Sequence, residues 1–270
     1  MTATVVLTGG ATGIGAATLT RLLARGAQVH VLDVVAPDVQ SVRYQACDLG
    51  DPASITAAVA RLPQRIDALV NVAGIATAKA PEDVLAINFL GMRALTQALL
   101  PRVVDGGSVV IVASSAGRDW QKREDVVKAL LDTADFASGL AWLRAHRDVW
   151  RDNPYKFSKQ VAAAYTYRAA GLELRRRVRV NCVNPGSTGT QLTTQFREIV
   201  GAALYDWGVD QIGRQGTPDD IAEVIDYLAL GECRWLNGVE IAVDGGYIAG
   251  IVGGWVDVER APEGPQARPA

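Results

Sequence analysis

Thr8-Gly9-Gly10-Ala11-Thr12-Gly13-Ile14-Gly15 follows the apolar, β-branched run Thr4-Val5-Val6-Leu7 and precedes Ala16 to Arg25, a stretch of helix-forming residues. The order is strand, glycine turn, helix. Gly9, Gly13 and Gly15 allow a tight turn, let a bulky group approach the main chain, and let the helix pack closely on the strand. The helix start then offers free N–H groups and the positive end of a dipole to a diphosphate. Gly26 stops the helix, and Gln28-Val29-His30-Val31-Leu32 reads as a second strand ending at Asp33. An acid about twenty residues beyond the glycines is where the adenosine ribose hydroxyls of a dinucleotide are gripped. The bland alternative is a tight strand-helix turn with a solvated Asp33.

Further on, Val42 to Cys47 reads as a third strand leading into Asp48-Leu49, and Pro52 opens a helix through Arg61. Asp67 to Val72, which contains Asn71, reads as a buried fourth strand and runs into Ala73-Gly74. A long helix is expected from Glu82 to Leu100, with Asn88 at a polar break in its apolar stripe. A fifth strand, Ser108 to Ala113, ends in Ser114-Ser115. Alternating strands and helices call for an α/β fold of the Rossmann-like, doubly wound type, with a parallel sheet whose strand C-termini gather the binding residues on one edge. Physics alone leaves Asn88 open as a helix asparagine bonding a backbone carbonyl, and leaves the two serines open as loop-satisfying hydroxyls.

The 270 residues are 49% apolar and 21% charged, with a net charge of −2. That balance gives no reason to expect nucleic acid or an anionic membrane as partner. Cys47, Cys182 and Cys233 are widely spaced, so neither a disulfide framework nor a metal cluster is expected, and a reducing, cytoplasmic setting fits. No N-terminal signal pattern and no bilayer-spanning apolar run is expected either.

Tyr155 and Lys159 sit four apart at the start of a helix capped by Asn153-Pro154, so they share one face. An ammonium beside a phenol favours the phenolate, which could take the proton of an alcohol while hydride leaves for an oxidised nicotinamide. Without context the same pair would read as a packed aromatic beside a solvated lysine.

With these residues in view, the chain resembles the short-chain dehydrogenase/reductases of the single-domain type over nearly all of residues 4 to 250. Thr8-Gly9-x-x-x-Gly13-Ile14-Gly15 matches the family's cofactor loop, and Asn71-Val72-Ala73-Gly74 matches its Asn-Asn-Ala-Gly with one substitution. The resemblance implies that Gly9, Thr12, Gly13, Ile14 and Gly15 hold the cofactor, with Asp48 and Leu49 on its adenine side and Asn71, Ala73 and Gly74 also in contact. It implies that Asn88 holds a water in a proton relay, that Tyr155 exchanges the proton, and that Lys159 bonds the nicotinamide ribose. Pro185, Gly186, Thr188 and Thr190 match the segment that fixes the carboxamide, and Val243 to Gly246 the last-strand ending. Aligning Gly117 with the glycine that closes the family's serine motif selects Ser114 as the substrate-binding hydroxyl, with Ser115 the alternative. In this family Asp33 implies NAD(H), because a carboxylate repels the extra phosphate of NADP.

Forty residues separate Ser114 from Tyr155, well beyond the family's usual short link. The excess, about residues 118–152, is helical in pattern and carries Trp120, Trp142 and Trp150. Either these aromatics only pack, or they line the substrate mouth. A comparable insertion with this layout resembles the bacterial 3α-hydroxysteroid dehydrogenase/carbonyl reductases, which implies a steroid or another bulky apolar carbonyl compound as substrate. Leu192, Phe196, Ile199, Leu204, Tyr205 and Trp207 give 189–216 the amphipathic look of a lid that would exclude water. Residues 1–258 are expected to form one cofactor-binding and catalytic domain, and the Pro- and Gly-rich stretch 259–270 a disordered tail. The expected activity is NAD-dependent interconversion of a secondary alcohol and a ketone by a homodimer or homotetramer. A dehydrogenase for a small alcohol, a non-catalytic dinucleotide-sensing regulator and a sugar-nucleotide epimerase are the alternatives; the regulator fits less well because Ser114, Tyr155 and Lys159 are all kept.

Overall fold

The computed structural model describes residues 2–40 and 42–264. Its centre is a sheet of seven strands, all parallel, in the order β3-β2-β1-β4-β5-β6-β7. β1 is Thr4–Thr8, followed by helix α1, Gly13–Ala24, and β2, Gln28–Asp33. β3, Arg43–Ala46, is shorter than its sequence suggested, and helix α2, Pro52–Arg61, leads to β4, Ile66–Asn71. Helices α3, Pro81–Leu85, and α4, Met92–Leu99, precede β5, Val103–Val112. The insertion contributes α5, Glu124–Leu131, and α6, Phe136–Ala145, before α7, Pro154–Leu172, and β6, Arg179–Pro185. α8, Thr193–Val200, α9, Ala202–Ile212, and α10, Pro218–Leu230, come before β7, Glu240–Val243, and α11, Tyr247–Gly253.

Central strands buried on both faces need apolar residues at successive positions, and Val5, Val6 and Leu7 in β1 are all fully buried. Alternate side chains therefore enter different cores. Val6 joins one with Leu69, Phe89, Leu95 and Val161 under α4 and α7, whereas Val5 and Leu7 join the other with Leu19, Leu22, Ile221 and Ile225 under α1 and α10. Strand order reverses where β1 lies between β2 and β4. The loops after β1 and β4 consequently diverge and leave a crevice at the strand C-termini.

Four expectations are corrected. β5 starts at Val103 rather than Ser108, because Gly106, at φ +79°, lets the strand bulge as its register on β4 shifts. The helix expected over Glu82 to Leu100 is interrupted between α3 and α4 by a π-helical turn, Ala86–Gly91, which carries Asn88. The stretch Pro81–Arg102 is apolar and long enough to cross a bilayer, contrary to expectation, but 72% of its most apolar window is buried inside the protein, as in a core helix. At the start of the supposed tail, Glu259 and Arg260 belong to a turn, Val258–Arg260, started by the Asp257 side chain, which accepts from the Glu259 N–H; positions 265–270 of that expectation lie outside the described residues.

The insertion packs α5 on α7 and α6 on the π-helical turn Ala86–Gly91. Arg93 on α4 is buried and donates to the carbonyls of Leu130, Thr133 and Asp135, so one guanidinium holds the junction between α5 and α6. Its planar fork satisfies several acceptors together, which offsets the cost of burying the charge. From α7, Arg168 donates to the Leu131 carbonyl at 2.8 Å and to Asp132 at 2.6 Å.

Candidate active site

The glycine loop leaves β1 at Thr8 and enters α1 at Gly13. Gly9, at φ +74°, lies so near Ala73 that a Cβ there would stand 2.7 Å from its backbone, and a Cβ on Gly15 would stand 1.7 Å from the Gly9 carbonyl oxygen. The loop after β1, the loop after β4 and the start of α1 thus nest together only without side chains. Thr12 precedes α1 without a side-chain cap, and the loop lines a cavity of about 580 Å³. Uncapped N–H groups at a helix start beside open space fit the phosphates of a dinucleotide.

Asp33, at the end of β2, lines the same cavity, its Oδ2 accepting from the Ala11 N–H at 3.0 Å and its Oδ1 from the Val35 N–H at 3.2 Å. These bonds hold the carboxylate at the edge where a ribose would lie and bind it to the glycine loop. Asp48 and Leu49 line the cavity beyond it, with Asp48 accepting from the Gly50 N–H at 2.8 Å. Gly91 supports this wall from beneath, since a Cβ on it would stand 1.9 Å from the Leu49 carbonyl oxygen.

Ala73, Gly74, Pro185, Gly186, Thr188 and Thr190 all line the cavity too. Asn71 does not: its side chain turns under the sheet and donates to Thr96 Oγ1 at 3.0 Å. Strand alternation is the cause, because β4 points Asn71 toward α4. Thr8 takes over locally, with its Oγ1 accepting from the Val72 and Ala73 N–H groups.

Ser114 follows β5, and its Oγ accepts from the Ala116 N–H at 3.1 Å. The turn lies against α7, where a Cβ on Gly117 would stand 2.7 Å from the Lys159 carbonyl oxygen. This close approach puts Ser114 beside the phenol; Ser115 also lines the cavity. Tyr155 occupies the first turn of α7, which Asn153 caps by accepting from the Lys156 N–H at 2.8 Å. The helix dipole there favours a negative oxygen.

Lys159 is buried one turn on, its Nζ donating to the Val112 carbonyl at 3.0 Å and standing 5.7 Å from the Tyr155 ring centroid. Burial pushes the ammonium down to about 8. Burial likewise pushes the Tyr155 phenol up to about 12, against the opposing effect of the neighbouring Ser114 hydroxyl. The expected downward shift of the phenol is therefore not produced by the protein's own groups, because desolvation outweighs them and the ammonium spends a hydrogen bond on Val112.

Asn88 does not line the cavity. Its Oδ1 accepts from the Ile75 N–H at 2.8 Å, and its Nδ2 donates to the Ile75 carbonyl at 2.9 Å and to Ser158 Oγ at 3.1 Å. These bonds clamp the strand-end loop to α7. A Cβ on Gly74 would stand 3.1 Å from Asn88 Oδ1 and 3.4 Å from Lys159 Nζ, so both side chains converge beneath that glycine.

The cavity is closed by α8 and α9, where Leu192, Phe196, Ile199, Leu204 and Tyr205 line it and Phe196 meets the Tyr155 ring edge-on at 5.0 Å between centroids. Trp207, expected with them, is not part of the lining. Nor are the three insertion tryptophans. Trp150 is buried and donates to the Leu143 carbonyl at 2.9 Å, Trp142 stacks on His146 at 4.4 Å, and Trp120 donates to Glu240 Oε1 at 2.9 Å. Of the insertion, Arg118 alone lines the cavity, together with Asn153 just beyond its far end. Sequence reasoning passed over Ile75, Arg118 and Tyr247 as lining residues; Arg118 carried one usable signal, its place four residues after Ser114.

Residues 3–124 match the family model described as short chain dehydrogenase, and residues 138–248 match one described as enoyl-(acyl carrier protein) reductase. The chain is 34% identical to the coniferyl-alcohol dehydrogenase of Pseudomonas sp. (strain HR199 / DSM 7063), over 90% of this chain and 95% of that one. It is 27% identical to the 3-alpha-hydroxysteroid dehydrogenase/carbonyl reductase of Comamonas testosteroni, over 90% and 95%. The crystal structure of the 3-alpha-hydroxysteroid dehydrogenase from Pseudomonas sp. B-0831 complexed with NADH superposes with a TM-score of 0.74 at 26% identity, covering 94% of this chain and 100% of that one. With its glycine loop, its Ser114, Tyr155 and Lys159 and these likenesses together, the chain belongs to the short-chain dehydrogenase family.

Proposed function

We propose that the protein is an NAD(H)-dependent dehydrogenase/carbonyl reductase that interconverts a bulky, largely apolar secondary alcohol and its ketone. The observation that carries this reading is the convergence of Ser114, Tyr155 and Lys159 on a cavity whose far wall is the apolar face of α8 and α9. A nicotinamide dinucleotide supplies the hydride acceptor and, when oxidised, a positive ring beside the phenol. Tyr155 takes the proton of the alcohol, or returns it to the carbonyl. Ser114 holds the reacting oxygen by a hydrogen bond, Lys159 supplies positive charge beneath the phenol, and Asn88 fixes the loop that faces them. Asp33 favours NAD over NADP by its charge.

The 34% identity to a coniferyl-alcohol dehydrogenase favours a second reading, in which the substrate is an aromatic allylic alcohol and the product an aldehyde. A cavity with Phe196 and Tyr205 beside Tyr155 suits a flat ring as well as an alicyclic one. Exposed Trp235, Val252 and Trp255, near β7 and α11, support pairing of copies into the proposed homodimer or homotetramer, and three buried free thiols support a reducing, cytoplasmic setting. The test is a screen of steroid, alicyclic, aryl-allylic and short-chain alcohols with NAD and NADP, following reduced cofactor by absorbance. Turnover confined to short-chain alcohols, or absent throughout, overturns the reading.

A further inference from the structure

Four lining side chains carry formal charge: Asp33, Asp48, Arg118 and Lys159. The two carboxylates stand at the ends of β2 and β3, where the dinucleotide's adenosine would lie. Lys159 is committed to the Val112 carbonyl. Arg118 differs from these and from the buried Arg93 and Arg179, which spend their donors on carbonyl oxygens. Among the described residues its guanidinium makes no hydrogen bond, and the carboxylate beside it is Asp119 at 3.9 Å, with both side chains nearly half exposed. Asp119 is itself shared with Lys122 at 3.4 Å.

The position of Arg118 is fixed even though its head group is free. Its N–H donates to the Ser115 carbonyl at 3.4 Å, and Gly117 before it is pressed against the backbone of α7. Arg118 is therefore held four residues from Ser114, on the rim of the cavity where Tyr247 also stands. Its charge acts on that phenol, opposing the burial that raises it. The remaining wall here is apolar, formed by Leu192, Phe196, Ile199 and Leu204. Ser114 and Tyr155 line the same cavity as this wall and Arg118, so one elongated molecule could touch all of them.

We propose that Arg118 determines specificity by binding an oxygen acceptor, a carboxylate or a phenol, at the end of the substrate remote from the reacting carbon. This rests on the alcohol/carbonyl activity proposed above. A guanidinium with unspent donors forms charge-assisted bonds to such an oxygen, two at once to a carboxylate, without first breaking a strong internal pair. A purely apolar substrate gains nothing from it.

The experiment compares matched substrates: cis-4-hydroxycyclohexanecarboxylate against cyclohexanol, and 4-hydroxycinnamyl alcohol against cinnamyl alcohol. The wild-type protein should favour the oxygen-bearing member of at least one pair in kcat/KM, and the pair concerned distinguishes carboxylate from phenol. In Arg118→Met that ratio should fall by roughly 10- to 100-fold, as expected for a lost charge-assisted bond. Arg118→Lys should recover part of it, and Arg118→Glu should turn it against the carboxylate. As an independent arm on wild-type protein, cyclohexanecarboxylate should inhibit cyclohexanol oxidation more tightly than cyclohexanecarboxamide does. Turnover of both members with equal ratios in wild type and Arg118→Met overturns the role of Arg118 and leaves the activity standing. Turnover of no member of either pair, nor of any alcohol in the wider screen, overturns the activity itself.

Discussion

The indole N–H of Trp120 donates to Glu240 Oε1 at 2.9 Å, joining the start of the insertion to the start of β7. Glu240 Oε2 accepts from Asn184 Nδ2 at 2.8 Å. Asn184 directly precedes Pro185 and Gly186, which line the cavity. The insertion therefore braces the strand end that leads into Pro185 and Gly186, while its three tryptophans stay out of the cavity.

That arrangement sets what the tryptophans should do when removed. Trp150→Ala empties a fully enclosed site and should cost about 3–5 kcal/mol of stability. Trp120→Phe removes a bond to a carboxylate and should cost roughly 1.5–3 kcal/mol. Neither should change the ratio of kcat/KM between a steroid-sized and a three-carbon alcohol. Denaturant unfolding midpoints and the two substrates check this. A selective loss on the large substrate with an unchanged midpoint would return these side chains to the cavity.

The different fates of neighbouring residues show what the sequence could carry. The glycine loop was legible because its requirement is local: a Cβ at Gly9 or Gly15 collides with backbone whatever surrounds it. Tyr155 and Lys159 were legible because helical spacing places them on one face. The tryptophans were not, because apolar positions recurring at helical spacing mark a buried face without saying what buries it, and here α7 and the insertion itself do. The upward shift of the Tyr155 phenol was hidden for a related reason, since desolvation depends on the whole enclosure and the Tyr-Lys spacing reports only one neighbour. That the Asn71 side chain turns away from the cavity was not legible, because a motif match cannot tell which face of β4 a side chain takes.

Asp33 should decide cofactor choice. Wild-type protein should show higher kcat/KM with NAD than with NADP, and Asp33→Ala should narrow the difference by roughly 10- to 100-fold through loss of bonds to the ribose and of charge repulsion. Because Asp33 also accepts the Ala11 N–H, Asp33→Ala will loosen the glycine loop, so Asp33→Asn, which keeps one acceptor oxygen, separates the charge from the brace. Equal or better efficiency with NADP in the wild type would make the assignment wrong.

Tyr155→Phe should lower kcat by about 100- to 10,000-fold, the usual worth of a positioned proton donor. The ring still meets Phe196, so the pocket wall persists and cofactor affinity, followed by fluorescence titration, should change little. Retention of most activity would remove Tyr155 from the chemistry.

Lys159 should leave a signature in stability against pH. Burial holds its ammonium at about 8, below the ordinary 10.5 that it has in an unfolded chain. Between those values the unfolded chain binds a proton that the folded protein does not, so folding stability gains as pH rises from about 8. Tyr155 works the other way only later, because its phenol, ordinarily at 10.0 and pushed up to about 12, retains its proton in the folded state as the unfolded chain loses one. The window from pH 8 to 10 therefore belongs to the lysine. Across it, the unfolding free energy of the wild type should rise relative to that of Lys159→Met by up to about 1 kcal/mol per pH unit. Below pH 8 the difference should be flat, and Lys159→Met should be the more stable of the two, since it buries no charge. Parallel curves through pH 8 to 10 in denaturant titrations would mean that Lys159 keeps its proton when buried, held by the Val112 carbonyl and its surroundings more firmly than desolvation opposes it.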